Sequence, residues 1–187
     1  RCKLTVAGDA TTGKSALVNS FVSGSSSYPK NYVMTQGYEI LQKTVSLTYA
    51  DVEFMIYDMS GQSIYRSQVR EAFARTSVVM LVYDVSNRES FDSLHYWLDE
   101  VKEANPGRTV QGVVVATKTD LTSQYQVSPQ EAASFALSQG FELFETSAVS
   151  PTQYKGRSLE QPFNAAAEMF AQLYETRERE VSQLRLG

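Results

Sequence analysis

The feature that most constrains this chain is the segment GDATTGKS at residues 8–15, which matches the pattern G-x-x-x-x-G-K-[ST]. An apolar, strand-like run at residues 2–7 precedes it, and a helix-forming run at 16–22 follows it. In the context of strand, loop and helix, this pattern indicates a phosphate-binding loop. The bounding glycines let successive N–H groups converge on an anion, and a helix starting near Lys14 adds the positive end of its dipole.

The side chains of this loop have separate expected roles. The Lys14 ammonium supplies a full positive charge for the β- and γ-phosphates of a nucleotide, and the Ser15 hydroxyl is a ligand for Mg²⁺. The residues of the loop and first helical turn expected to contact the nucleotide are Asp9, Ala10, Thr11, Thr12, Gly13, Lys14, Ser15 and Ala16.

Composition excludes several other classes of protein. The 187 residues have 42% hydrophobic content and a net charge of −4, which fits one ordinary globular domain. The positive residues are scattered, so nothing indicates a nucleic-acid partner or an anionic membrane surface. Cys2 is the single cysteine, which excludes an internal disulfide and fits a reducing compartment such as the cytoplasm. The apolar runs are too short to span a bilayer.

Strand-like and helix-like segments alternate along the chain, which predicts an α/β doubly wound sheet. Near-continuous apolar runs at 78–83 and 110–116 are typical of parallel strands buried on both faces. A hairpin with its turn at Ala50 and Asp51 adds one antiparallel pair, so we expect a mixed, mostly parallel sheet with helices on both faces. The predicted strands are 2–7, 38–49, 52–57, 78–83, 110–116 and 141–144, and the predicted helices are 16–22, 89–104, 129–139 and a last one from 159 to near the end, with 64–75 ambiguous.

Three further motifs lie at predicted strand ends, where ligands of open α/β sheets bind. Asp58 closes the third strand, where it can hold Mg²⁺ through its hydration shell, and Gly61 can offer its N–H to a γ-phosphate. Asp120, in the segment 117–120, can accept hydrogen bonds from N1–H and the amine of guanine, a donor pair that adenine lacks. The segment 145–148 follows the last strand and can present the Ala148 N–H to the guanine carbonyl.

In this order and at these strand ends, the motifs resemble those of the Ras-like small GTPases, most closely the Rab branch, from Cys2 to about Tyr174. The resemblance implies that Thr35 reaches Mg²⁺ and the γ-phosphate, that Tyr28 packs on the guanine edge, and that Gln62 is the catalytic residue orienting the attacking water. The further nucleotide-binding residues are then Tyr28, Thr35, Gly61, Thr117, Lys118, Asp120, Ser147 and Ala148, and the metal ligands are Ser15, Thr35 and Asp58.

Several positions depart from the pattern of this family. Ala10 stands where Ras carries glycine, beside the phosphates and the approach of an activating arginine, and its methyl group is expected to hinder assisted hydrolysis. Thr117 replaces the commoner asparagine of the guanine motif, but Rho-type GTPases also use threonine there. Met59 and Ser60 replace the usual Thr-Ala, and Gln36 replaces an isoleucine. The given sequence has no terminal cysteine pair and no polybasic run, so no direct membrane anchor is expected from it.

A closer resemblance is carried by the segments 32–37, 43–45, 81–86, 89–91 and 161–163. In these segments the chain resembles one group within the Rab branch, the Rab-like GTPases of intraflagellar transport (Rab-like four or transport subunit twenty-seven). The resemblance implies a component of the ciliary transport complex, located at the cilium or flagellum and its base. It also implies a stable heterodimer with a small β-sandwich protein, intraflagellar transport subunit twenty-five.

The sequence therefore predicts a guanine-nucleotide switch at residues 1–175 with a C-terminal helical extension or tail at 176–187. Loops 25–37 and 59–75 are expected to differ between the GTP and GDP states, and hydrolysis is expected to be slow, because no arginine of the chain is evidently placed to offset transition-state charge. The alternatives are a scaffold subunit that keeps nucleotide for structure, a membrane Rab whose lipidated tail lies outside the given sequence, and, less favoured, a nucleotide kinase.

Three side chains outside the motifs also have expectations. Trp97 is expected to be a half-buried packing residue, and His95 is expected to have a surface or packing role rather than a catalytic one. The apolar residues Val181, Leu184 and Leu186 follow a charged run, where a Ras-like domain has no core left to cover them. We therefore expect a protein partner to dock on the C-terminal part of the chain, away from the switches, in both nucleotide states.

Overall fold

A mixed six-stranded sheet forms the centre of the computed structural model, which describes residues 1–24, 34–147 and 159–184. The strands are β1 (Cys2–Ala7), β2 (Tyr38–Ser46), β3 (Asp51–Met59), β4 (Val78–Asp84), β5 (Gln111–Thr117) and β6 (Glu142–Glu145). The strand order is β2-β3-β1-β4-β5-β6, and within the described residues only the β2–β3 pair is antiparallel. This confirms the predicted mixed sheet with one hairpin.

Burial along the strands follows their place in the sheet. Every residue of the central strand β4 is buried, whereas most residues of the edge strand β2 are exposed or half-buried. A parallel strand covered by helices on both faces needs apolar side chains at successive positions, which explains the unbroken apolar run of β4. Because β1, β3, β4 and β5 run parallel to one another, their carboxyl ends lie along the same edge of the sheet.

Helices cover both faces of the sheet, as predicted. They are α1 (Lys14–Ser23), α2 (Arg66–Ala72), α3 (Arg88–Asp92), α4 (Leu94–Glu103), α5 (Pro129–Ser138) and α6 (Gln161–Leu184). On one face α1 and α6 enclose a core in which the rings of Phe21 and Phe163 stack with centroids 3.8 Å apart. On the other face α2, α3, α4 and α5 enclose a second core.

Three segments differ in detail from the sequence prediction. The expected helix 89–104 is two helices, because Ser93 adopts φ −67° and ψ −13° and tightens the turn between them. The hairpin turn spans residues 47–50, closed by a 2.8 Å hydrogen bond from the Leu47 N–H to the Ala50 carbonyl, and Asp51 already belongs to β3. The ambiguous segment 64–75 forms a 3₁₀ turn at Ser63–Tyr65 and then α2.

The last helix passes residue 175 without interruption and reaches Leu184. The division into a domain at 1–175 and an extension at 176–187 stays a prediction. Within the described ranges, no helix combines the length and apolar character that crossing a membrane requires. The predicted site residues Tyr28 and Ala148, and the tail residue Leu186, lie outside the described residues.

Candidate nucleotide-binding site

The loop between β1 and α1 packs tightly against the central strand. Gly8 has φ +149°, and a Cβ built on it would lie 2.1 Å from the carbonyl oxygen of Val82. Only glycine fits at this position, since any side chain would displace the backbone of β4. Gly13, also in the left-handed region with φ +92°, then immediately precedes α1, which begins at Lys14. The predicted start of the helix is confirmed, and its free N–H groups open toward the loop.

The Asp9 carbonyl is an internal acceptor for two side chains of the loop. Lys14 Nζ donates to it at 2.7 Å and Thr12 Oγ1 donates at 2.9 Å. Lys14 is only 5% exposed, and burial lowers its pKa to about 8, against the opposing effect of the Asp58 and Asp9 carboxylates. A buried ammonium that is incompletely compensated is stabilised by an arriving anion. Ala10, Thr11 and Ala16, the other predicted residues here, are partly or fully exposed.

Two hydroxyls and a carboxylate meet beside this loop. Ser15 Oγ lies 2.9 Å from Thr35 Oγ1, although the two residues are twenty positions apart. Asp58, at the end of β3, is fully buried, and neither carboxylate oxygen has a hydrogen-bond partner in the described part of the chain. Burial raises the Asp58 pKa, and the nearby Ser15 hydroxyl and Lys14 ammonium act in the opposite direction.

This donor set suits Mg²⁺. Mg²⁺ prefers oxygen ligands and commonly binds through one or two protein carboxylates together with phosphates and water. A buried carboxylate without a hydrogen-bond partner would gain much from a cation, because its desolvation is otherwise uncompensated. The structure thus brings the three predicted ligands, Ser15, Thr35 and Asp58, to one place with suitable chemistry.

The predicted second switch begins in direct contact with the phosphate loop. A Cβ on Gly61 would lie 2.1 Å from the Ala10 nitrogen and 2.2 Å from the Asp9 carbonyl carbon. The two backbones therefore touch at this point. Gln62 follows, partly exposed, and its N–H donates to Ser60 Oγ at 3.3 Å. The Gln62 side chain thus starts next to the phosphate loop.

Thr117 connects the phosphate loop to the predicted guanine motif. Its Oγ1 lies 2.6 Å from the Thr12 carbonyl oxygen and 2.8 Å from the Tyr83 carbonyl oxygen, and the residue is 5% exposed. A hydroxyl has one proton to donate, so it serves these two acceptors alternately. The threonine that departs from the common asparagine thus still ties β5 to the phosphate loop and to β4.

The remaining residues of the guanine motif are held by the strand ends around them. Lys118 has φ 57° and its Nζ donates to Asp84 Oδ2 at 2.6 Å. Burial alone would raise the Asp84 pKa, but hydrogen bonds from Lys118 and Ser86 outweigh it and hold that pKa below its usual range. The role of Asp84 was not singled out from the sequence, because it depends on β4 and β5 being neighbours.

Asp120 and Ser147 are brought together from different loops. Ser147 Oγ donates to Asp120 Oδ1 at 2.5 Å. Thr119 Oγ1 donates to the Thr146 carbonyl at 2.9 Å, which joins the same two loops a second time. The Asp120 carboxylate is therefore held at the edge of the sheet where its expected partner, a guanine base, would lie.

Trp97 reaches the phosphate loop, a contact that the sequence analysis did not predict. It is only 3% exposed rather than half-buried, and its indole Nε1 donates to Asp9 Oδ1 at 2.8 Å. The sequence offered only a general indication of this contact, since a buried tryptophan needs an acceptor for its indole N–H. His95, by contrast, lies exposed on α4 with its ring edge-on to Phe135, so its expected surface and packing role is confirmed.

The order of the strands, the glycine-bounded loop and the motifs at the strand ends define a P-loop domain of the small GTPase class. Comparison with known proteins agrees, since the model of the Ras family matches residues 3–172. The chain belongs to the Ras family.

Two of the relatives found in this comparison are intraflagellar transport proteins by name, and a third is a Rab protein. Intraflagellar transport protein 27 homolog from Mus musculus is 39% identical over 92% of this chain and 91% of its own length. Intraflagellar transport protein 27 from Chlamydomonas reinhardtii is 37% identical over 94% of this chain and 86% of its own. Ras-related protein Rab-2B from Dictyostelium discoideum is more distant, with 34% identity over 78% of this chain and 71% of its own. The predicted likeness to the Rab-like transport group is confirmed.

Proposed function

We propose that this Ras-family GTPase binds GTP and GDP with Mg²⁺, hydrolyses GTP slowly, and works as a switch or assembly subunit in intraflagellar transport. The observation that carries the nucleotide proposal is the meeting of the Ser15 and Thr35 hydroxyls beside the buried Asp58 carboxylate, which accepts no hydrogen bond within the described residues. These groups come from α1, from the segment before β2 and from β3. Their meeting has a simple chemical reason if they share a cation.

Each residue of the site then has a defined task. Lys14 and the N–H groups around it bind phosphate oxygens, and Ser15, Thr35 and Asp58 hold Mg²⁺ directly or through its water. When bound, Mg²⁺ supplies positive charge that offsets the charge developing on the phosphates. Asp120 accepts the N1–H and amine protons of guanine, with Ser147 fixing its carboxylate. Tyr28, Lys118 and Ala148 are proposed to complete the base site.

Hydrolysis is proposed to depend on Gln62. Its side-chain amide can both accept and donate a hydrogen bond, as orienting a water for attack on the γ-phosphate requires. The Gly61 N–H lies where the second switch touches the phosphate loop, so a γ-phosphate held there would also fix Gln62. Slow turnover follows from the lack of an assigned arginine to stabilise the transition state.

Single-turnover hydrolysis tests this assignment. Purified protein loaded with GTP should release phosphate only when Mg²⁺ is present, and Gln62→Leu should slow that release, because leucine cannot hydrogen-bond water. Gln130→Leu, on the exposed side of α5 and outside both predicted switches, is the matched control and should retain the wild-type rate. An unchanged rate for Gln62→Leu, or no hydrolysis by the wild type, would favour the scaffold interpretation over the switch.

The place in intraflagellar transport is supported by the named relatives. By that similarity, we propose a ciliary or flagellar location and a stable heterodimer with a small β-sandwich protein, intraflagellar transport subunit twenty-five. The candidate surface is the C-terminal half of α6, where Tyr174 is 55% exposed. Phe170, Leu173 and Tyr174 also line a small crevice together with Arg108 and Thr109. Apolar side chains on an exposed helix surface are well placed for a partner.

Gel filtration tests this interface. The complex should form equally with GDP and with a non-hydrolysable GTP analogue, because the surface lies away from the predicted switches. Truncation after Tyr174 removes Val181, Leu184 and Leu186, the apolar residues that the sequence led us to expect at the interface, and should abolish the complex. Leu137→Ala on the exposed side of α5 should not. Formation only with the GTP analogue, or formation unaffected by the truncation, would place the interface elsewhere.

A further inference from the structure

A hydrogen bond between distant parts of the chain links α4 to the phosphate loop. The indole Nε1 of Trp97 donates to Asp9 Oδ1 at 2.8 Å, and the two residues are separated by 88 positions in the sequence. Trp97 is buried at 3% exposure, and Asp9 is partly buried. A hydrogen bond to a carboxylate is about twice as strong as one between neutral groups, so this contact constrains both partners.

Asp9 connects Trp97 to the phosphate site, because its side chain and its backbone carbonyl bind different partners. Its side chain is fixed by Trp97, while its carbonyl oxygen accepts from Lys14 Nζ at 2.7 Å and from Thr12 Oγ1 at 2.9 Å. The same residue therefore holds the ammonium group that is proposed to meet the β- and γ-phosphates. The backbone of Gly61 also lies against Asp9, so a rotation of this peptide would disturb the predicted γ-phosphate contact.

Trp97 also contacts the region of α2. Its ring meets the Phe73 ring edge-on, with centroids 6.4 Å apart and planes at 77°. The neighbouring Tyr96 ring lies under the Arg66 guanidinium at 4.9 Å. One turn farther along α4, Glu100 forms a 3.6 Å ion pair with Arg70 of α2. Helix α4 therefore contacts both the phosphate loop and the helix of the predicted second switch.

From this arrangement we infer that Trp97 is a positioning residue for nucleotide binding: its indole N–H orients Asp9, and thereby Lys14, for the phosphates. The inference rests on the proposed function. It goes beyond packing, because a phenylalanine would fill much of the same space without the N–H. The same indole also packs against Phe73, so Trp97 contacts both the end of α2 and the phosphate loop.

Nucleotide dissociation from the full chain tests this role. Trp97→Phe removes the N–H and keeps an aromatic ring, and it should release fluorescently labelled GDP about tenfold faster, the change expected for losing one hydrogen bond to a charged group. Val101→Ala is the control: it lies one turn away on α4, is fully buried and carries no polar group. It should lower the melting temperature while keeping dissociation within about twofold of wild type.

A double-mutant cycle separates positioning from general destabilisation. In an Asp9→Ala background the hydrogen bond is already absent, so adding Trp97→Phe should accelerate dissociation no further. Trp97 is the single tryptophan, so its emission reports this site alone, and Asp9→Ala should shift it. Unchanged dissociation in Trp97→Phe, additive effects in the cycle, or unchanged emission would each overturn the inference. A wild-type chain that binds no guanine nucleotide would instead overturn the proposed function.

Discussion

Replacing Thr117 by valine isolates the hydrogen bond that joins the guanine motif to the phosphate loop. The two side chains have nearly the same shape, so the change removes a hydroxyl and leaves little cavity. The lost hydroxyl lies 2.6 Å from the Thr12 carbonyl and 2.8 Å from the Tyr83 carbonyl, in surroundings where Thr117 is 5% exposed. A buried acceptor left without its donor costs about 1–3 kcal/mol.

Part of that cost should appear as weaker nucleotide binding. Thr12 lies in the phosphate loop and Thr117 begins the base motif, so their bond fixes the distance between the two halves of the site. If losing the hydrogen bond weakens the GDP complex by about 1.4 kcal/mol, the Kd for GDP rises about tenfold. The rest of the loss should lower the free energy of unfolding.

Calorimetric titration of GDP into nucleotide-free protein, with denaturant unfolding in parallel, measures both quantities. Thr5→Val is the matched control, because Thr5 is fully buried and its hydroxyl bonds Thr76 Oγ1 at 2.9 Å, away from the site. We expect similar losses of stability in the two variants but weaker GDP binding only in Thr117→Val. Equal GDP affinities in the two variants would refute the proposed coupling between the base motif and the phosphate loop.

Three further outcomes are expected. Gly61→Ala places a methyl carbon about 2.1 Å from the Ala10 nitrogen, so the loop must move, and single-turnover GTP hydrolysis should fall about a hundredfold while circular dichroism stays unchanged. Asp120→Asn should shift preference from guanine to xanthine nucleotides, measured by competition, because xanthine carries a carbonyl where guanine carries the amine. Burial raises the Cys2 pKa to about 12, so between pH 7 and about pH 9 the thiol stays protonated and should resist iodoacetamide until the protein unfolds. Wild-type hydrolysis by Gly61→Ala would contradict the first argument, and retained guanine preference in Asp120→Asn would contradict the second. Rapid alkylation of Cys2 in the folded protein would contradict the third.

The predictable part of the molecule is the part that local patterns encode. The unbroken apolar run of β4 and the glycine-bounded loop predicted a sheet and a ligand site at its edge, because parallel strands must be apolar and bring their carboxyl ends together. The hydrogen bond between Trp97 and Asp9 was not predictable in this way. It joins residues 88 positions apart and requires the packing of α4 against the sheet, which no local pattern specifies.

Local detail was also missed where several conformations satisfy the same pattern. Ser93 could continue a helix. Helical hydrogen bonds do cross it, from the Ser93 N–H to the Glu89 carbonyl and from the Trp97 N–H to the Ser93 carbonyl. Its ψ of −13° nevertheless differs from the value of about −42° in a regular α-helix and separates α3 from α4. The hairpin turn moved toward Leu47 because cross-strand pairing of Ser46 with Asp51 sets the register. Strand pairing, rather than turn propensity alone, fixed that boundary.

The most direct test of the account is the base selectivity of the wild-type chain. Isothermal titration of nucleotide-free protein with GTP, and separately with ATP, in the presence of Mg²⁺ compares ligands that differ only in the base. Because Asp120 would lose both of its partner donors with adenine, we expect GTP to bind with a micromolar or lower Kd and ATP at least about a hundredfold more weakly. Equal affinities for GTP and ATP would contradict the assignment of this site as a guanine-nucleotide site.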